Sequence, residues 1–106
     1  MKESPFTRTK IRPYLESLGA RVIKYHGSAM NEAGVSDLLV CLKGQFIALE
    51  IKMEGKKPRP NQIAFIESII KAGGKAGVVY SDTWREDVDR LIHIDRIRGS
   101  EYDRCI

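Results

Sequence analysis

Cysteine is scarce in this chain: Cys41 and Cys105 are the only two among 106 residues, and their separation matches neither a metal-ligand nor a redox motif. A disulfide-stapled scaffold and a cysteine-bound zinc module are therefore not expected. The two histidines, His26 and His93, add no zinc pattern. No stretch approaches the ~20 consecutive apolar residues needed to span a bilayer. The N-terminal run MKESPFTRTK has no apolar segment of the kind a secretory signal carries, so a cytoplasmic protein without a membrane partner is expected. Repeats, low-complexity tracts and Gly/Ser-rich linkers are also missing. With 42% hydrophobic residues, the expectation is one domain over residues 1–106 with a single core.

Charge is abundant but uneven. Residues 1–75 hold 13 Lys/Arg against 7 Asp/Glu, whereas residues 76–106 hold 5 against 7, for a net charge of +4 overall. A basic body suits a polyanionic partner such as nucleic acid.

The densest information lies in Gly34–Lys52, GVSDLLVCLKGQFIALEIK, which reads as two strands joined by a Lys43-Gly44 turn. A two-residue turn puts Leu42 opposite Gln45, and counting outward brings Val40 to Ile47, Leu38 to Leu49 and Asp37 to Glu50. Because side chains alternate, Lys52 shares the face of Glu50, while Leu38, Val40, Ile47, Leu49 and Ile51 form an apolar face. Two carboxylates so paired stand about 5 Å apart and repel. At an effective dielectric of ~20 that repulsion is about 3 kcal/mol. Lys52 offsets part of it, and a divalent cation would offset more. The plain alternative is a surface ion triad; the apolar residues crowded around it favour a metal site.

The remaining segments supply a frame. Ser4-Pro5 has the form of a helix start, with Phe6, Ile11, Tyr14, Leu15 and Leu18 as its apolar stripe, Pro13 delaying or kinking it, and Gly19 ending it. Arg21–His26 alternates as a strand, and residues 27–34 form a polar loop. After Lys52, MEGKKPRPNQ is a loop with Lys56, Lys57 and Arg59, either a solvated turn or a phosphate-contacting one. Pro60 opens a helix through Ile63, Ile66, Ile69 and Ile70 to Gly73-Gly74, with Gln62 in its first turn. Ala76–Tyr80 is a short buried strand, and Asp82 or Thr83 caps a last helix to about Leu91. The tail to Ile106 has no clear assignment. The predicted class is α/β, a mixed central β-sheet flanked by helices in the order α-β-β-β-α-β-α.

Asp37, twelve intervening residues and then Glu50-Ile51-Lys52 resemble the D…ExK core of PD-(D/E)xK nucleases. With Gly34-Val35-Ser36 before the aspartate, Gln62 in the following helix and the GGKAGVVYS strand, the chain resembles the VRR-NUC group over nearly its whole length. Ser36 stands where that family often has proline. The resemblance implies a restriction-endonuclease-like core and a Mg²⁺- or Mn²⁺-dependent DNA endonuclease. It implies Asp37, Glu50 and the Ile51 carbonyl as metal ligands, Lys52 at the reacting water or phosphate, and Gln62 orienting Lys52 or a phosphate. A glutamate of the first helix, Glu3 or Glu16, would join the site. Lys24, Lys56, Lys57 and Arg59 would hold the DNA backbone, which positions the duplex without reading its sequence. Branched DNA of the Holliday-junction type is the expected substrate and a homodimer the expected assembly, since two strands must be cut symmetrically. The alternatives are a flap or nicking enzyme of the same family, a non-catalytic DNA-binding module, or an α/β domain that binds metal or a small molecule without nucleic acid.

Overall fold

The structure, a computed structural model, describes residues 7–25 and 33–92. Among these, four strands form one mixed sheet in the order β1-β2-β3-β4. The strands are β1 (Arg21–Lys24), β2 (Leu38–Leu42), β3 (Gln45–Lys52) and β4 (Lys75–Tyr80). Helices α1 (Arg12–Ser17) and α2 (Pro60–Lys71) flank it, and residues 84–92 form α3. This is the predicted mixed α/β order.

The β2–β3 hairpin has the predicted register, with Leu38 opposite Leu49, Val40 opposite Ile47 and Leu42 opposite Gln45. Its turn is enforced by Lys43 and Gly44, at φ +52° and +82°. Positive φ at both central residues marks the type I′ turn, whose twist matches that of the flanking strands. The apolar face of the hairpin is fully buried: Leu38, Val40, Ile47, Leu49 and Ile51 form one core with Ile11, just before α1, Leu15 of α1, Val22 of β1, Val79 of β4, and Val88 and Ile92 of α3. Helices α1 and α3 thus cover one side of the sheet. Tyr14 joins them, its hydroxyl donating to Asp89 Oδ1 at 2.5 Å and its ring meeting Trp84 edge-on at 5.6 Å, with the Arg85 guanidinium 4.0 Å from the ring centre.

The other side is covered by α2, which links β3 to the parallel strand β4. A crossover helix of this kind runs back along the strands it joins. Its start lies by Gly34, where an added Cβ would come 2.4 Å from the Asn61 carbonyl oxygen, and its end lies by β3, where a Cβ on Gly74 would come 3.2 Å from the Phe46 carbonyl oxygen. It stops in a Schellman arrangement, with Gly73 N–H donating to Ile70 O and Gly74 N–H to Ile69 O. The first helix closes the same way around Gly19 (φ +96°), with Ala20 N–H bonded to Leu15 O.

Three expectations need adjustment. The first helix is regular only over Arg12–Ser17, after a π-helical turn at Thr7–Ile11. Pro13 has no N–H to give to the preceding turn, so it is accommodated among the first positions of α1, where that donor would be orphaned anyway. Leu18, assigned to the apolar stripe, is an exposed C-cap residue. Strand β1 ends at Lys24, one pair before Tyr25 N–H donates to Asp37 O. The expected Ser4-Pro5 start and Phe6, together with Glu3, His26, His93 and Cys105, lie outside the described residues.

Candidate active site

Residues directly opposite in a ladder share a face, so the register assigns every side chain around the hairpin's open end. Glu50 and Lys52 lie on the α2 side, with Val78 beside Glu50 and Tyr80 beside Lys52 on β4. The ladder ends at the Leu38–Leu49 pair, and Asp37, the residue before Leu38, meets β3 through its side chain rather than as a ladder pair with Glu50. Glu50 is 2% exposed and its Oε2 lies 3.7 Å from Lys52 Nζ. A carboxylate that deep is costly unless its charge is compensated, and the ammonium of Lys52 supplies compensation within the protein.

Asp37 is bound to the strand it faces: Ile51 N–H donates to its Oδ2 at 2.9 Å. In a strand the N–H and C=O of one residue point to the same edge. The Ile51 carbonyl is therefore directed to the β2 edge, where the Asp37 carboxylate stands, beyond the last ladder pair. Asp37 Oδ1 has no hydrogen-bond partner among the described residues. The donors gathered at this end of the sheet are two carboxylates and one backbone carbonyl, all hard oxygens. Among the described residues no three His, Cys, Asp or Glu side chains come together as a metal-binding group. One or two carboxylates, completed by water and substrate phosphate, are nevertheless the usual protein share for Mg²⁺, so the residues present fit that ion.

Gln62 lies in the first turn of α2 and is nearly buried. Its Oε1 accepts from Arg59 N–H at 2.8 Å, half of a capping box that satisfies the helix start. Its amide oxygen is thus committed to the fold, and Nε2 is the end left to orient anything else. The close approach of Gly34 to Asn61 sets this helix start against the loop that delivers Asp37.

The basic residues divide. Lys56, Lys57 and Arg59 are exposed on the loop between β3 and α2, on the side where Lys52 ends its strand. That loop is tied back by Glu54 N–H, which donates to Ser81 Oγ, and Ser81 N–H in turn donates to Lys52 O. Lys24 pairs with Leu38, so its side chain is on the α1/α3 side of the sheet, opposite Glu50 and Lys52. Glu16 is exposed on α1 and its carboxylate pairs with Arg12 at 3.1 Å.

Other buried polar groups serve the frame. Asp87 takes the Tyr80 N–H (3.0 Å) and the Thr83 hydroxyl (2.8 Å) on one oxygen, so Thr83, at the predicted cap of the last helix, is fastened through its side chain to the following turn. Lys75 is buried and its Nζ donates to Ile92 O at 3.3 Å. Sequence reasoning singles out neither Asp87 nor Tyr80; the place of Tyr80 beside Lys52 depends on the parallel β3–β4 register.

A mixed sheet with helices on both sides, carrying an aspartate at one strand start and ExK on the next strand, defines a PD-(D/E)xK-type α/β core. The chain belongs to the VRR-NUC family: a solved structure described as a VRR_NUC domain is 33% identical to it, with a TM-score of 0.68 over 86% of this chain and 94% of that one. The fold is also similar to that of Hjc, a Holliday junction resolvase from Archaeoglobus fulgidus, at 17% identity and a TM-score of 0.58, covering 73% of this chain and 66% of that one. No protein-family model matches the chain, and no curated protein matches it.

Proposed function

We propose that this protein is a Mg²⁺- or Mn²⁺-dependent DNA endonuclease, specific for branched DNA of the Holliday-junction kind and working as a homodimer. The observation that carries this reading is the buried Glu50 with the Lys52 ammonium 3.7 Å away, on a strand whose Ile51 N–H is held by Asp37, in a chain of the VRR-NUC family.

Asp37, Glu50 and the Ile51 carbonyl would hold the divalent ion. When bound, such an ion supplies Lewis-acid polarisation of the phosphate and a more acidic water. Lys52 places a positive charge beside Glu50, where it can hold the attacking water in position or stabilise negative charge developing on the phosphate. Glu50 keeps the Lys52 ammonium at a fixed distance, so that this charge does not have to be reorganised during reaction. Gln62, fixed through Oε1, offers Nε2 as a donor toward Lys52 or a phosphate oxygen. Lys56, Lys57 and Arg59 extend from the adjoining loop as phosphate contacts. Lys24, on the opposite side of the edge strand β1, would meet only a backbone that passes around that edge.

The test is a panel of labelled four-way junction, flap, nicked and plain duplex DNA incubated with Mg²⁺, Mn²⁺ or EDTA. The expected result is incision of the junction at symmetric positions with either ion and none in EDTA. Undiminished cutting in EDTA would overturn the metal dependence. Preference for flap or nicked DNA would overturn the junction specificity, and tight binding without cutting would mark a DNA-binding module.

A further inference from the structure

Tyr80 is the last residue of β4 and the in-register neighbour of Lys52 on β3. Adjacent strands lie about 4.8 Å apart and in-register side chains stand on the same face, so the phenol of Tyr80 rises beside the Lys52 side chain. Both side chains are long and lie on the α2 side of the sheet, the face that also carries Glu50. The position is rigidly set: Tyr80 N–H donates to Asp87 Oδ2 at 3.0 Å, and the next residue, Ser81, donates to Lys52 O at 3.0 Å. The ring is half-buried, while the hydroxyl has no hydrogen-bond partner among the described residues. A tyrosine serving the core alone ordinarily hydrogen-bonds its O–H within the protein, and phenylalanine would pack as well without it. Ser81, immediately after it, anchors the loop that carries Lys56, Lys57 and Arg59. Tyr80 thus neighbours Lys52 through the strand register and the cationic loop through Ser81, on the path of a nucleic acid strand crossing Lys52.

We propose that Tyr80 touches the substrate: its phenol O–H donates a hydrogen bond to a phosphate of the strand being cut, next to Lys52. This rests on the nuclease reading above and adds to it a neutral donor on a strand that the Asp37–Glu50–Lys52 set does not include. A hydrogen bond to an ionised acceptor is among the stronger kinds, and it is lost when phenylalanine replaces tyrosine while the ring remains.

The experiment compares wild type, Tyr80→Phe and Tyr80→Ala by thermal melting, by fluorescence anisotropy on a labelled junction in Ca²⁺, and by single-turnover cleavage in Mg²⁺. Tyr80→Phe should melt with wild type yet cut roughly 10- to 100-fold more slowly, with weaker junction binding. Tyr80→Ala should be no faster than Tyr80→Phe. Wild-type cutting and binding by Tyr80→Phe would overturn the proposal. That holds equally if Tyr80→Ala then loses both stability and rate, because the ring would be packing and the hydroxyl idle. A wild-type protein that cuts none of the DNAs in any metal overturns the nuclease reading and this proposal with it, an outcome visible before any variant is compared.

Discussion

Asp37 accepts the Ile51 N–H at 2.9 Å, so the carboxylate proposed as a metal ligand also secures the end of the strand that carries Glu50 and Lys52. The two roles separate by substitution. Asp37→Ala removes the acceptor and should cost about 1–2 kcal/mol of stability, the typical loss when a partly buried N–H is left unpaired. Asp37→Asn keeps an acceptor and removes a negative charge at the end of the strand that carries Glu50. In EDTA it should be as stable as wild type or up to about 1 kcal/mol more stable, part of the ~3 kcal/mol repulsion estimated for two such charges being already offset by Lys52. Both variants should fail to cut DNA, and neither should gain the Mg²⁺-dependent rise in melting temperature expected of wild type. Melts in EDTA and in millimolar Mg²⁺ check this. A metal-free Asp37→Asn protein clearly less stable than wild type would make Asp37 a purely structural partner.

The cationic loop predicts a change in salt dependence. Each phosphate neutralised contributes about 0.9 to the slope of log K against log salt on duplex DNA. Replacing Lys56, Lys57 and Arg59 together by Ala should flatten that slope by about 3 units and weaken binding on every DNA tested. Lys24→Ala, altering the opposite side of the sheet, should leave it nearly unchanged rather than lower it by the ~0.9 of one phosphate contact. Lys52→Ala should abolish incision while most binding remains. An unchanged slope in the triple variant would make the loop a solvated turn.

Gly34 offers a test of how the start of α2 is positioned. Its φ is +83°, and any Cβ would press into the Asn61 carbonyl. Gly34→Ala should therefore cost about 2–3 kcal/mol and displace the turn bearing Gln62, with activity falling further than stability alone explains. Lys43→Gly in the hairpin turn, whose Gly44 neighbour has open space around it, should stay within about 0.5 kcal/mol of wild type and retain activity. Denaturant melts alongside cleavage rates distinguish the two.

The Tyr14–Asp89 bond makes a pH prediction. Burial of the phenol, reinforced by its bond to the Asp89 carboxylate, raises the Tyr14 pKa above its ordinary value, with Arg85 opposing. The folded protein then holds this proton more tightly than the unfolded chain does. Stability from Tyr14 is fully present below about pH 10 and is lost as pH climbs past it. Tyr14→Phe should cost about 1–2 kcal/mol at neutral pH and should lose stability less steeply than wild type above pH 10. Identical alkaline profiles would show that the bond does not tether α1 to α3.

By itself the sequence determined the parts whose geometry is local. The Lys43-Gly44 turn pins a period-two hairpin, so the pairing of Leu38 with Leu49 and the shared face of Glu50 and Lys52 followed by counting. Pro60 and Gly73 likewise delimited α2 to the residue at its start, because a helix announces its ends through proline and glycine chemistry, whereas Ile63 of the expected apolar stripe is exposed. Only the tertiary structure decided the relations that cross long connections. Strands β1 and β2 are joined by 13 residues and no tight turn, so nothing local shows that Lys24 pairs with Leu38 and turns away from the site. The partner of Lys52 on β4 depends on a parallel register reached through a whole helix, which is why Tyr80 could not be placed beside it from the sequence. Gln62 was legible as a residue of the first helical turn. Its bond to Arg59, which leaves only the Nε2 end for other work, required the side-chain geometry itself.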